Sequence, residues 1–347
     1  MKLLIFTQKV DRNDVVLGFF HEWILEFSKK CQSVKVICLY KGEYDLPENV
    51  EVFSLGKEIG ASKISQAVSV YKYLFRLNGS YDRVFVHMNP IYLVLCGWYF
   101  WMKNIPVYMW YVHRSVDLKL RIATFFSTKI FTSSKESFGI ETSKAVYLGH
   151  GIDIDKLPNK IRLYIDGLVK IAHIGRITPI KNIETLIHAV EELKKKNLDI
   201  EVNLSGDCVT EEDRYYRANL EGLIGEKGLK NSVYFTSGVK YQDMPKMLKN
   251  THITVNLTPT GGMDKVVLTS ILLGIPVFAS NTAFRDVFGE YKDIFAFNHK
   301  DHLDLAEKII RFVNRNDKAK IMESLDKKVR ENFSLGLLIK KIIEEML

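Results

Sequence analysis

Short apolar runs alternate with helix-length segments from one end of the chain to the other, and few folds accommodate that rhythm. In the first half, strands are predicted at 3–7, 34–40, 50–54, 82–87, 106–112, 130–132 and 145–148. Helices are predicted at 63–77, at 90–102 and at 16–29, where Phe19, Phe20, Trp23, Ile24 and Phe27 share a face. The second half repeats the pattern, with strands at 169–174, 200–205, 232–235, 253–257 and 276–279. Strands separated by helices pair in parallel and are covered on both faces, so an α/β, doubly wound architecture is expected. A chain of 347 residues exceeds what one core supports, and two domains follow, 1–165 and 166–332. The break falls near Lys156-Leu157-Pro158-Asn159-Lys160, where periodicity stops. Residues 333–347 form an amphipathic helix, striped by Leu338, Ile342, Ile343 and Met346, and are expected to pack back on the first domain. Open α/β sheets bind ligands at the carboxyl ends of their strands, so two such domains facing each other make a cleft.

Charge is unevenly spread. Residues 1–162 hold 22 Lys and Arg against 15 Asp and Glu, a net +7, leaving +1 for the remainder. A basic first half suggests an anionic partner. No nucleic-acid-binding motif accompanies the charge, so nucleic acid is not expected, whereas an anionic membrane surface fits. Cys31, Cys38, Cys96 and Cys208 show no CxxC pairing and no histidine at metal spacing, and read as reduced thiols of a cytoplasmic protein. The start, Met1-Lys2-Leu3-Leu4-Ile5-Phe6, turns polar too soon for a signal peptide and reads as a first strand. The most apolar stretch, 91–102, is too short to cross a bilayer. It reads either as a helix buried on a sheet or as a peripheral membrane contact with Trp98 and Trp101 at the lipid interface.

Two segments carry chemistry. The first is Gly175-Arg176-Ile177-Thr178-Pro179-Ile180-Lys181, between a strand and a helical pattern. Its glycine lets a ligand approach the backbone, the helix start offers N–H groups, and two cations at that mouth would clamp a diphosphate. An ordinary βα loop with solvated basic side chains is the competing interpretation. The second runs from Asn256 to Val277, with the turn Thr260-Gly261-Gly262 and a helix beginning near Asp264. Asp264 reads either as a first-turn acid complementing the helix dipole or as a carboxylate aimed at sugar hydroxyls.

Together with Gly274-Ile275-Pro276-Val277 and Val233-Tyr234-Phe235-Thr236-Ser237-Gly238-Val239, these segments resemble the donor domain of GT-B glycosyltransferases of family GT4, the glycosyl transferases group 1. The resemblance covers essentially the whole chain and implies two Rossmann-like domains facing a cleft. It implies transfer of a sugar from a UDP- or GDP-sugar, with retention of configuration, to a glycan or lipid-linked acceptor in cell-surface polysaccharide synthesis. Arg176 and Lys181 match the pair that binds the donor diphosphate, and no metal or other cofactor is expected where two side chains supply that charge. Asp264 and His113, just past a strand end in Trp110-Tyr111-Val112-His113-Arg114, complete the implied catalytic set. The nucleotide-sugar positions are Gly175, Gly206, Gly238, Val239, Gly262, Met263, Lys265, Val266 and Thr269. Asp14, Gly18, His87, Asn89 and His150 are expected on the acceptor side.

The chain departs from the family at two places. Gly261 and Thr269 occupy positions where the family usually carries glutamates for the donor sugar and the ribose. Asp264 is expected to replace the first from the other side of the turn, and Thr269 offers the ribose one hydroxyl. A catalytically weakened nucleotide-sugar-binding or scaffold protein of the same fold is therefore the alternative. A nucleotide-sugar 2-epimerase is a third reading, for which the chain offers no convincing acid–base set.

Overall fold

A computed structural model describes residues 1–14, 16–161, 165, 167–240, 243–259 and 261–347. Two compact units result: Met1–Asp153 with Ser334–Leu347, and Ile154–Phe333. Thr260 of the glycine-rich turn and Asp166 at the expected boundary lie outside the described residues. The division falls at Asp153 rather than at 165 because the connecting segment is tied to the second unit. There the Ile161 N–H donates to the Leu273 carbonyl at 2.8 Å, and Lys160 pairs with Asp326 at 2.7 Å.

Among the described residues, the first unit has seven strands in one sheet: β1 (Lys2–Val10), β2 (Ser33–Lys41), β3 (Val50–Ser54), β4 (Arg83–His87), β5 (Val107–Trp110), β6 (Lys129–Thr132) and β7 (Ala145–Tyr147). All pair in parallel, in the order β3-β2-β1-β4-β5-β6-β7. The order reverses at β1, which places a topological switch point between β1 and β4. Helices α1 (Phe19–Ser28), α2 (Lys63–Arg76), α3 (Ile91–Met102) and α4 (Leu118–Phe126) follow their strands. Helix α1 buries Phe20, Trp23, Ile24 and Phe27 on one sheet face, while α2, α3 and α4 cover the other. The apolar run of α3 buries Tyr92, Leu93, Cys96 and Phe100 and leaves Trp98, Trp101 and Met102 exposed. Burial pushes the Cys31 and Cys38 thiols up to about 11 and about 12, so both stay protonated at neutral pH.

In the second unit, β8 (Leu168–Ile174), β9 (Asp199–Ser205), β10 (Val233–Thr236), β11 (Ile253–Asn256) and β12 (Val277–Ala279) form a parallel sheet ordered β10-β9-β8-β11-β12. Helices α5 (Glu184–Lys195), α6 (Glu211–Glu226), α7 (Met244–Leu248) and α8 (Lys265–Leu272) are its crossovers. Short helices α9 (Arg285–Phe288) and α10 (Lys292–Phe295) lead to α11 (His302–Val313) and α12 (Lys318–Phe333). The last helix, α13 (Leu335–Met346), belongs to the first unit and packs on α1 through Leu338, Ile339 and Ile342. Its final carbonyls are satisfied there: Tyr108 Oη and Arg83 Nε donate to the Met346 carbonyl at 3.0 and 3.1 Å. No helix among the described residues is long and apolar enough to cross a membrane.

Candidate active site

Strands β8, β9 and β10 end side by side in the second unit, and their carboxyl ends carry the glycines singled out in the sequence. Gly175 follows β8 at φ 152°, a backbone that residues with side chains rarely adopt. A Cβ there would lie 3.3 Å from Lys181 Cε and 3.5 Å from its Nζ, so the lysine folds directly over the glycine. Gly206, after β9, is tighter still: a Cβ would sit 1.9 Å from the Gly175 carbonyl oxygen. The Gly238 N–H, after β10, donates to Asp207 Oδ1 at 2.9 Å. These strand ends enclose a pocket of about 210 Å³ lined by Gly175, Arg176, Gly206, Asp207, Gly238 and Val239, among others. Five positions expected at the nucleotide sugar or diphosphate thus share one concavity.

Each of the two cations is held by an acid. Arg176 Nε lies 3.4 Å from Asp213 Oδ2, and its side chain is half exposed. Asp213 is buried in the first turn of α6, where it forms a capping box with Thr210 and accepts from the Val209 and Thr210 N–H groups at 2.9 and 3.0 Å. A hydrogen bond from Thr178, joined by those N–H groups and by Arg176, holds its carboxyl down at about 2. Lys181 Nζ lies 3.2 Å from Asp264 Oδ2, with both side chains about one-fifth exposed.

Asp264 is the N-cap of α8. Its Oδ1 accepts from the Val266 N–H at 3.1 Å, while Oδ2 accepts from Lys181 and, at 3.3 Å, from Asn256 Nδ2. Burial alone would raise this carboxyl, but Lys181 and the Val266 N–H outweigh it and hold it below 3.8. His173, buried beside them, is pushed down to about 4 by burial and by the Lys181 charge and is neutral at pH 7. Lys265, next along α8, is brought down by burial to about 7.

The remaining positions of that segment differ in access. Val266 is half-buried, Met263 nearly buried and Thr269 fully buried within α8, while Gly262 is exposed and its carbonyl accepts from Asn281 Nδ2 at 3.1 Å. The helix start expected to offer N–H groups beside Lys181 differs from the sequence reading. Pro179–Lys181 forms a separate short turn, Asn182 takes a left-handed conformation at φ 48°, and α5 begins only at Glu184. The Ile183 N–H is occupied by Tyr216 Oη at 2.7 Å, whose hydroxyl donates in turn to Glu184.

In the first unit the acceptor-side candidates gather at the carboxyl edge around the switch point. His87, the last residue of β4, is buried; its Nδ1 is 3.3 Å from Thr7 Oγ1 and its ring stacks on Phe20 with centroids 3.9 Å apart. Asn89 Oδ1 accepts from the Ile91 N–H at 3.3 Å, at the start of α3. His150 is buried, 5.9 Å from the Trp110 ring. His113 is exposed beyond β5, its ring 5.7 Å from that of Tyr111. Asp14 accepts from the Val16 and Leu17 N–H groups and from Lys9 Nζ at 2.6 Å. Its burial raises the carboxyl, and those hydrogen bonds outweigh it and hold it below 3.8. Gly18 has no room for a side chain, since a Cβ would meet the Asp14 carbonyl oxygen at 2.5 Å.

Four residues of the pocket region were not foreseen: Asp207, Asp213, Asn256 and Thr178. For Asp213 a signal exists, because Thr210-x-x-Asp213 before a helical run is a capping-box pattern. No group of three or more His, Cys, Asp or Glu able to hold a metal ion occurs among the described residues.

The chain is similar to known proteins in part of its sequence and in its fold. Residues 159–331 match the family described as glycosyl transferases group 1. Alpha-D-kanosaminyltransferase of Streptomyces kanamyceticus is 26% identical over 118 residues, which cover 34% of this chain and only 29% of that protein. Among solved structures, Anabaena Alr3699/HepE in complex with UDP superposes with a TM-score of 0.75 at 17% identity, covering 100% of this chain and 99% of that one. The same protein with UDP-glucose gives 0.73, also at 17% identity and covering 100% and 99% of the two chains. A glycosyltransferase from Rickettsia africae ESF-5 gives 0.73 at 14% identity, covering 99% and 97%. The chain thus matches the glycosyl transferases group 1 family through residues 159–331, and its two parallel-sheet Rossmann-like units have the GT-B fold of these solved structures.

Proposed function

We propose that the chain transfers a sugar from a nucleotide diphosphate sugar, with retention of configuration as in family GT4, to a glycan or lipid-linked acceptor of cell-surface polysaccharide synthesis. The observation that carries this reading is the pairing of Arg176 and Lys181 at the mouth of β8, beside a pocket floored by Gly175, Gly206 and Gly238. Cleavage of the donor leaves negative charge on the departing diphosphate. Cations already held in position stabilise that charge more in the transition state than in the ground state. In this reading the two side chains supply the charge that a metal supplies elsewhere, and no cofactor takes part. Asp264 acts through Lys181, anchoring it, and through the start of α8. His113, exposed beyond β5, completes the catalytic set of this reading, and His87, Asn89, His150, Asp14 and Gly18 serve the acceptor side.

UDP is the first donor nucleotide to test, because the Anabaena protein's structures contain UDP and UDP-glucose; GDP is the second. Thermal shift of the chain against UDP, GDP, ADP and their sugars is expected to show stabilisation by one nucleotide family, lost in Arg176→Ala. Stabilisation by none of them would overturn the assignment. A second reading, a nucleotide-sugar-binding protein of weakened activity, is favoured by Gly261 and Thr269 at the glutamate positions and by the burial of Thr269. Nucleotide binding together with equal donor hydrolysis by the wild type and Arg176→Ala would select it.

A further inference from the structure

Helices α2, α3 and α4 lie on one face of the seven-stranded sheet, held there by Val70 and Leu74, by Leu93 and Phe100, and by Leu120 and Ala123. Each connects parallel strands, so each runs back against them, and the last turns of all three emerge at the amino edge of the sheet. That edge lies opposite the loops carrying His87, His113 and His150. Toward those ends large apolar side chains are exposed: Phe75 on α2, Trp98, Trp101 and Met102 on α3, and Phe125 on α4. Their exposure runs from 42% at Trp98 to 70% at Phe125. The same stripe extends up α2 through Val68 and Ile64.

These side chains lie on adjoining helices. The Phe75 and Trp98 rings lie 6.0 and 6.2 Å from Tyr99, and Trp98 lies 6.4 Å from Tyr71. Gly97 lets α4 close on α3, because a Cβ there would stand 2.6 Å from the Phe126 ring. Exposed apolar groups gathered in this way need a partner.

The charge around them identifies it. Helix α2 carries Lys63, Lys72 and Arg76, α4 carries Lys119 and Arg121, and Lys103 ends α3, yet no acidic residue stands on any of the three helices. The acid bordering α4, Asp117, caps its first turn at the opposite end. On the other sheet face, by contrast, α1 carries Glu22 and Glu26, and α13 balances Lys340 and Lys341 with Glu344 and Glu345. A second copy meeting this face with the same face would bring like charge against like. We propose that this face docks on an anionic lipid surface, with Trp98, Trp101, Met102, Phe75 and Phe125 entering the headgroup region and the surrounding cations meeting lipid phosphates. Docking does not depend on the sugar-transfer reading.

The test uses the full chain without donor, sedimented with phosphatidylcholine vesicles with and without phosphatidylglycerol. Binding is expected only with the anionic lipid and is expected to fall at high salt. Lys72→Glu/Arg76→Glu should weaken it about tenfold or more, since each basic residue near a charged leaflet contributes several-fold. Trp101→Ser/Phe125→Ser should weaken it as well. The chain has four tryptophans, and Trp23 and Trp110 are 1% exposed, so an emission blue shift on binding reports Trp98 and Trp101. Variants are compared at matched thermal stability. Any of three results would overturn the proposal: no anionic binding at low salt, binding equal in both variants, or binding without an emission change. Self-association in the absence of lipid, abolished by Trp101→Ser/Phe125→Ser, would instead assign the face to a second copy.

Discussion

Replacing Asp264 separates the two duties its carboxylate performs. Oδ1 caps α8 by accepting from Val266, and Oδ2 pairs with Lys181 at 3.2 Å. Asparagine caps a helix about as well as aspartate, so Asp264→Asn removes the charge and keeps the cap, whereas Asp264→Ala removes both. The ion pair is about one-fifth exposed, between the surface regime of about 0.2–1 kcal/mol and the buried regime of about 3–5 kcal/mol. Loss of the pair should therefore cost about 1–2 kcal/mol, and loss of the cap about 1 kcal/mol more. For a unit the size of Ile154–Phe333, each kcal/mol lowers the midpoint by about 2–4 °C.

Circular-dichroism melting should then order the proteins wild type, Asp264→Asn, Asp264→Ala. Lys181→Met/Asp264→Asn should be at least as stable as Lys181→Met alone, because it no longer leaves a carboxylate without its cation. The pH dependence has a definite sign. The folded carboxyl sits below 3.8, so its contribution is complete above about pH 4 and disappears as pH falls through the folded value. The acid limb of the stability curve should accordingly be shallower in Asp264→Asn. Equal midpoints for the Asn and Ala variants would refute the capping role. Additive single and double substitutions, within about 0.5 kcal/mol, would refute the anchoring of Lys181.

Arg176→Ala and Lys181→Ala should each lower kcat by about 10²–10³, the loss of one charge-stabilising donor, with a smaller change in KM; donor-dependent rates equal to wild type in both would end the clamp assignment. Lys265 is pushed by burial from 10.5 to about 7, so between those values the unfolded chain binds more protons than the folded one and stability rises with pH; Lys265→Met should remove that rise, read by urea unfolding at pH 7 and pH 10. Gly206→Ala places a Cβ 1.9 Å from a backbone oxygen and should cost about 1–3 kcal/mol together with nucleotide binding, whereas Gly261, whose nearest neighbour to a Cβ is 3.9 Å away, should accept alanine within about 0.5 kcal/mol.

The alternation of strand and helix was legible because parallel strands buried on both faces must be apolar throughout; β3 at Val50–Ser54 is bounded in the structure where the sequence puts it. Helix α4 was not, because only Leu120 and Ala123 of it are buried and so little apolar period results. The glycines of the pocket could be found because strand-end glycines report close backbone approach, which Gly175 and Gly206 display. The carboxylates holding the two cations were harder to see. Asp213 lies far along the chain from Arg176 and meets it only because β9 returns beside β8 before α6 begins. Asp264 was recognised as a helix-start acid or a sugar ligand, but its partner Lys181 depends on where a turn folds over Gly175, which no periodicity encodes.

That both cations are paired with acids bears on how a donor would bind. An unanchored lysine or arginine loses rotamer freedom when it meets a phosphate, and that loss subtracts from affinity. Arg176 on Asp213 and Lys181 on Asp264 have lost part of it already. The anchors do not neutralise the site equally. Both carboxylates are shared with N–H groups, Asp213 with Val209 and Thr210 and Asp264 with Val266 and Asn256, but Arg176, at 3.4 Å from its anchor, is half exposed and its guanidinium keeps donors for a ligand. Lys181 is drawn closer, at 3.2 Å, and is less exposed, so a diphosphate approaching over Gly175 must share the lysine's remaining N–H donors with Asp264. In the proposed reaction Arg176 is therefore the cation that first captures the donor. Lys181 is the one whose interaction grows as charge develops on the leaving phosphate, since a stronger anion competes better with a carboxylate already in place.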